Sequence, residues 1–208
     1  MRGRFVTLEG IDGAGKSTHL EWLAKRLGQH GLPVKVTREP GGTPFGEQLR
    51  RLLLDRTQRL HPETEALLVF AARREHLDKL ILPALEQGYW VLCDRFTDAT
   101  YAYQCGGSGV SWNRVAALEQ WLAPQAQPDL TLLLDVDPEV GRRRALQDRV
   151  PDRFEGEQEA FYRRVREAYL RRARECPDRI RVIDAGGSLS EVQVKLEQII
   201  STFCSNRN

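Results

Sequence analysis

The chain has 208 residues, 41% hydrophobic and 29% charged, with a formal net charge of +2; that suits one ordinary buried core and argues against disorder. Its 31 basic residues face 29 acidic ones, so neither nucleic acid nor an anionic membrane surface is an expected partner. The sequence contains no apolar run near the ~20 residues of a membrane span and no signal core, and Cys93, Cys105, Cys176 and Cys204 lack metal-ligand spacing, so free thiols in a cytoplasmic protein are expected.

In chain order, short strand-like stretches alternate with helical ones. Arg4–Glu9 is the first strand, and Lys16–Gln29 the first helix, with Leu20, Leu23, Ala24 and Leu27 at helical spacing. Val34–Thr37 is a second strand, followed by helices over Phe45–Leu54 and Pro62–Gln87. Pro83, late in the latter, predicts a kink or a stop. Tyr89–Asp94 is a third strand, Trp112–Leu122 a helix and Leu130–Asp135 a fourth strand. Arg142, Arg143 and Arg144 are expected to begin the helix before Gln147–Gly156, a charged stretch with an internal proline that reads as a lid. Glu157–Glu175, Arg179–Asp184 and Leu189–Phe203 complete the pattern as helix, strand and helix. Such alternation predicts an α/β fold, a five-stranded parallel sheet flanked by helices. A single domain, 1–208, is expected, with a lid at about 142–156.

Between the first strand and first helix, Gly10-Ile11-Asp12-Gly13-Ala14-Gly15-Lys16-Ser17 matches G-x-x-x-x-G-K-[ST] without exception, and Thr18 follows. Glycines let backbone N–H groups curl round a phosphate, and the helix N-terminus adds positive potential. Lys16 is expected to reach the β- and γ-phosphates of ATP, and Ser17 to ligate Mg²⁺. A guanine-reading Asn-Lys-x-Asp is absent, since Asn113, Asn206 and Asn208 are the chain's only asparagines and no lysine follows them. A compact phosphotransferase is favoured over a GTPase switch. Ligands gather at the carboxyl ends of strands in such sheets, so Asp94 is a candidate for Mg²⁺ or proton acceptance and Arg95 for a phosphate. The cations comprise 26 arginines and five lysines, and arginine suits bidentate phosphate binding.

Seven segments carry a resemblance. They are Leu8 to Thr18, Thr37-Arg-Glu-Pro-Gly-Gly-Thr43, Phe70-Ala-Ala-Arg-Arg74, Asp94-Arg-Phe96, Ala102-Tyr-Gln104, Pro128 to Asp135 and Asp152-Arg-Phe-Glu155. In this order and over nearly the whole chain, they resemble the bacterial thymidylate kinases, of the P-loop nucleoside monophosphate kinases. The resemblance implies transfer of the ATP γ-phosphoryl group to dTMP with Mg²⁺, giving dTDP for dTTP synthesis and DNA replication, and it implies a homodimer. It implies that Asp12 accepts from the deoxyribose 3′-hydroxyl, that Phe70 stacks on thymine and that Arg74 donates to a base carbonyl. Tyr103 is implied to crowd the sugar 2′ position, Thr100 and Gln104 to line the base and sugar pocket, and Arg38 and Arg95 to hold the acceptor phosphate. Positions 11 to 14 of the P-loop hold no basic residue, so the chain resembles the type whose catalytic arginine sits in the lid: Arg153, helped by Arg149. Arg73, where an acidic residue is common, Cys105 for glycine and Ala99 for serine depart from the family pattern.

Overall fold

The computed structural model describes residues 2–55, 57, 59–122, 126–145 and 159–205. Five strands, β1 (Phe5–Glu9), β2 (Val34–Arg38), β3 (Trp90–Asp94), β4 (Leu130–Asp135) and β5 (Ile180–Asp184), form one sheet in the order β2-β3-β1-β4-β5. Each pairing is parallel, as the alternation predicts. The helices are α1 (Lys16–Gln29), α2 (Pro44–Leu54), α3 (Pro62–His76), α4 (Leu82–Glu86), α5 (Thr97–Thr100), α6 (Trp112–Leu122), α7 (Pro138–Ala145), α8 (Glu159–Glu175) and α9 (Leu189–Ser205). β1 lies between β3 and β4, so the chain crosses from one half of the sheet to the other around β1, and its carboxyl end opens into a crevice.

Both sheet faces are covered, and the strands show it in their alternation. Val6, Leu8, Trp90, Leu92, Leu130 and Leu132 pack with α1, α8 and α9 in the main core. Phe5, Val91 and Cys93 face the other way, against Leu77, Ile81, Leu85 and Phe96. Thr7 and Thr131, fully buried on neighbouring strands, satisfy each other through a hydroxyl–hydroxyl bond of 2.8 Å.

The helix predicted over Pro62–Gln87 is continuous but not uniform. A π-helical turn, Leu77–Ile81, separates α3 from α4. Pro83, in the first turn of α4, cannot donate a backbone hydrogen bond, and the wider turn before it accommodates that loss. A second π-helical turn, Tyr101–Gly107, continues α5. The sequence shows no periodic stripe there because Tyr101, Ala102, Tyr103, Gln104 and Cys105 are all buried; a segment buried all round has no polar face. The basic triplet Arg142–Arg144 lies in the last turn of α7 rather than at the start of a helix. Arg149 and Arg153, and with them the rest of the expected lid, lie outside the described residues.

Candidate active site

The crevice is a single cleft of about 700 Å³ that runs from the P-loop to the wall formed by Val69, Arg73, Thr100, Tyr103 and Gln104. At its near end Gly10 to Gly15 turn the chain from β1 into α1. Gly13, at φ 76°, packs on α7: a Cβ there would overlap the Gly141 carbonyl. The converse also holds, since a Cβ on Gly141 would come 2.8 Å from the Asp12 carbonyl oxygen. P-loop and α7 therefore meet backbone to backbone.

Lys16 is buried and donates to the carbonyls of Gly10 at 3.1 Å and Ile11 at 2.9 Å, with the Asp12 carboxylate 3.9 Å away. Burial pushes its ammonium below the ordinary lysine range and Arg95 pushes the same way, opposed by Asp12, Asp94 and Glu9. Ser17 and Thr18 are exposed in the first turn of α1 and line the cleft. Opposite, Asp94 ends β3, paired in register with Leu8. Its Oδ1 is buried and has no hydrogen-bond partner among the described residues, a position that invites a cation or a donor from a ligand.

Arg95 is, among the described residues, the non-glycine residue at positive φ, 69°; such a conformation costs an L-residue about 1–2 kcal/mol. The turn is held by neighbours: Leu8 O accepts from Arg95 N, and Glu9 Oε1 accepts from Phe96 N at 2.6 Å. Its guanidinium consequently swings over the P-loop. It donates to Gly10 O at 3.1 Å, to Tyr169 Oη at 3.3 Å and to Asp12 Oδ1 at 2.6 Å, and lies 4.7 Å above the Tyr103 ring. Tyr103 Oη donates to the other Asp12 oxygen at 3.1 Å, so three predicted site residues form one connected group.

Glu9 is completely buried beneath them. Its Oε2 accepts from Tyr169 at 2.9 Å. Burial first and Asp98 second raise its pKa to about 8, against the opposing pull of Arg95 and the two hydrogen bonds. No spacing in the sequence marks Glu9 as functional; only the fold brings it under Arg95.

The Thr37-Arg-Glu-Pro-Gly-Gly-Thr43 segment supplies the next stretch of wall. Thr43 caps α2, its hydroxyl accepting from Gly46 N at 3.0 Å. Arg38 is about half exposed and pairs with Glu47 at 2.9 Å. Arg50 of α2, which nothing in the local pattern singles out, donates to Pro40 O at 2.9 Å and lines the cleft. Burial and the neighbouring guanidinium groups of Arg38 and Arg95 push its pKa down, as expected where cations converge.

The base-pocket assignment needs a correction of one residue in helical phase. Phe70 does not line the cleft: its ring is buried with Tyr101, Cys105, Val110 and Val115 behind it. Arg74 points away, donating to Leu122 O at 2.9 Å and pairing with Asp78 at 2.6 Å while half exposed. The cleft-facing pair is Val69 and Arg73. Both pairs are four apart and share a helix face, so spacing cannot choose between them; packing does, because the larger aromatic side chain fills the core. The Arg73 guanidinium sits 4.7 Å from the Phe70 ring and 5.0 Å from that of Phe96, so Phe70 supports the arginine from behind. Arg73 Nε donates to Glu39 Oε2 at 2.7 Å and Nη2 to Thr100 Oγ1 at 3.1 Å, while buried Nη1 has no partner among the described residues.

At the opposite end, Arg144 of α7 donates to the carbonyls of Ala185 at 2.9 Å, Gly186 at 3.0 Å and Gly187 at 3.3 Å. This ties α7 to the β5–α9 loop, which lines the same cleft through Ala185, Gly187, Ser188 and Leu189.

A parallel sheet with a phosphate loop at the switch point, a second set of arginines across the crevice and a further walled chamber define the class: a P-loop phosphotransferase acting on a small acceptor. Comparison with known proteins narrows this. The family model described as Thymidylate kinase matches residues 8–196. A thymidylate kinase of Nitrosospira multiformis is 61% identical, over 98% of this chain and 99% of the relative. That of Cupriavidus metallidurans is 59% identical, over 98% of this chain and 100% of the relative. The crystal structure of thymidylate kinase from Ehrlichia chaffeensis superposes with a TM-score of 0.78 at 34% identity, covering 97% of this chain and 99% of that one. The chain belongs to the thymidylate kinase family, whose members are enzymes that phosphorylate dTMP to dTDP. Among the described residues no helix is long and apolar enough to cross a membrane.

Proposed function

We propose that the cleft binds ATP at the P-loop and dTMP in the chamber beyond it, and transfers the γ-phosphoryl group between them. The observation that carries this reading is the continuity of one cleft from Lys16 past Arg50 and Arg95 to Arg73. Gly10, Ile11, Asp12, Gly13, Ala14 and Gly15 present backbone to the donor phosphates, with Lys16, Ser17 and Thr18 at the helix start. Lys16 stabilises charge on the β- and γ-phosphates. Arg50 and Arg95 hold the acceptor phosphate, with Arg38 at the rim. Asp12 and Tyr103 meet the sugar. Thr100, Gln104 and Arg73 meet the base, Arg73 taking the carbonyl-donor role that the sequence suggested for Arg74. Val69 covers the base edge in place of Phe70.

The unpartnered Asp94 Oδ1 and the Ser17 hydroxyl are hard oxygen ligands that fit Mg²⁺, which commonly takes one or two carboxylates and completes its shell with phosphates and water. Bound there, it would neutralise charge on the phosphate oxygens. Positioning does the rest: the two substrates approach in line between Lys16 and Arg95, and closure of a lid over about 142–156 brings Arg153, with Arg149, to the transferring group and excludes water.

A cytoplasmic homodimer of single-domain subunits completes the reading. The four cysteines are free. Phe45 and Leu52 of α2, Leu67 of α3 and Trp121 of α6 project exposed apolar side chains from neighbouring helices, the kind of face that a second copy covers. The test is a steady-state panel of dTMP, dUMP, UMP, CMP, AMP and GMP with ATP and Mg²⁺. The expected result is the highest kcat/KM for dTMP. Preference for another monophosphate would assign a different nucleoside monophosphate kinase; nucleotide binding without transfer would return the chain to a switch.

A further inference from the structure

Behind Arg73 lies a buried polar chain that the reaction itself does not use. His76, three residues on along α3, is completely buried. Its Nδ1 lies 3.0 Å from Glu39 Oε1, and its Nε2 lies 2.7 Å from Thr37 Oγ1. The other Glu39 oxygen receives Arg73 Nε. A carboxylate only accepts, so His76 Nδ1 carries the hydrogen, and in the neutral ring Nε2 accepts from the Thr37 hydroxyl. The chain thus runs Thr37, His76, Glu39, Arg73, and ends at a guanidinium that lines the cleft and whose buried Nη1 has no partner among the described residues. Gly42, at φ 76°, closes over it: a Cβ there would overlap the His76 ring and stand 2.7 Å from the Thr37 hydroxyl.

We propose that His76 is a positioning residue for acceptor recognition: by fixing Glu39 it orients the Arg73 guanidinium in the cleft wall, where it meets the acceptor base. An arginine has many rotamers, and a carboxylate held at one oxygen can still rotate. Anchoring both Glu39 oxygens, one by His76 and one by Arg73, removes that freedom, and Thr100 and the Phe70 and Phe96 rings fix the guanidinium plane. The chemistry recognised is a ring carbonyl. A guanidinium N–H donates well to a carbonyl and is left unpaired against an amino group, so the relay favours a pyrimidine carrying oxygen over one carrying an amine. Buried and joined to Glu39, His76 acts only through Arg73. The inference rests on the proposed role of Arg73.

The experiment measures kcat and KM for dTMP and for 5-methyl-dCMP in the full-length enzyme and in His76→Leu, His76→Asn, Thr37→Val and Arg73→Gln. In His76→Leu, dTMP KM rises about tenfold with kcat within about twofold, and the preference for dTMP over the amino analogue falls by a similar factor, the size expected for one misplaced charge-assisted hydrogen bond. His76→Asn, which keeps a donor near Glu39, recovers most of the loss. Thr37→Val gives a smaller shift, about twofold to threefold, in the same direction, and carries the test if His76→Leu does not fold. Unchanged dTMP KM and preference in folded His76→Leu, or a fall in kcat alone, overturns the inference. If Arg73→Gln raises KM and the His76 and Thr37 variants do not, the relay fails and the role of Arg73 stands. If Arg73→Gln also leaves KM unchanged, the proposed role of Arg73 fails as well.

Discussion

At the P-loop end of the cleft the wall comes from eight consecutive residues, Asp12 to His19. At the base end it comes from side chains on three separate segments: Glu39 after β2, Val69 and Arg73 on α3, and Thr100, Tyr103 and Gln104 on α5 and the π-helical turn. Phosphate needs only amides and positive potential, which one loop and one helix start supply. A base needs donors at particular places on its edge, so its wall must be assembled from distant parts and held by packing and hydrogen bonds behind it. The first kind of site stands or falls with one contiguous loop and the side chains of Lys16 and Ser17 that follow it; the second fails one orientation at a time.

The sharpest break should come from the lid. Arg153→Ala is expected to lower kcat by about 10³-fold, the scale of a transition-state arginine, while dTMP KM changes little; a kcat near wild type would remove the lid from the mechanism. Next, at the base end, Arg73→Gln should reduce kcat/KM for dTMP by about 10- to 100-fold, through loss of a charge-assisted hydrogen bond. Its neighbour tests the helical phase: Arg74→Ala should leave dTMP kinetics within about twofold, since an exposed pair contributes little. A large effect at Arg74 and none at Arg73 would reverse the assignment.

The smallest effect concerns the support shared by both ends. The pKa of Glu9 is raised from an ordinary 4.5 to about 8, so between these values the folded protein binds more protons at this site than the unfolded chain. Its contribution to stability is therefore full below pH 4.5, declines as pH rises and is lost through pH 8. Thermal melts from pH 5 to pH 8 should show this decline, and Glu9→Gln should flatten it. An equal slope in the variant would mean that other groups set the pH dependence.

The legibility of the chain in its sequence divides along the same line. The sheet, its strands and the P-loop are readable because each is a contiguous pattern: Val34 to Thr37 or Leu130 to Asp135 declare a strand without reference to anything else. Motif order singles out Asp12, Tyr103 and Arg95 for three separate roles, and only the fold joins them through the Asp12 carboxylate. Phe70 and Arg74 were misplaced because a helical spacing of four fits two adjacent faces equally, and which face meets the cleft depends on Tyr101, Val110 and Val115 claiming the aromatic ring. Arg50 and His76 lie outside every segment that carries the resemblance, and Glu39 and Glu9 lie inside two of them without a role of their own. Arg50 sits in an ordinary amphipathic helix, and the other three matter only through partners on other elements. Arginine abundance concealed the same point: Arg95, Arg73 and Arg50 are buried or part-buried in the cleft, whereas Arg74 is a surface residue.

The contact between Gly13 and Gly141 bears on inhibitor resistance. The floor of the donor site there is main chain against main chain, and any side chain at Gly13 would collide with a carbonyl. A compound drawing its affinity from that floor would leave the enzyme few escape routes by point mutation, because the substitutions that displace the drug would also dislodge the loop that holds the nucleotide. Compounds anchored on Val69 would face a replaceable side chain, and resistant variants should arise there first.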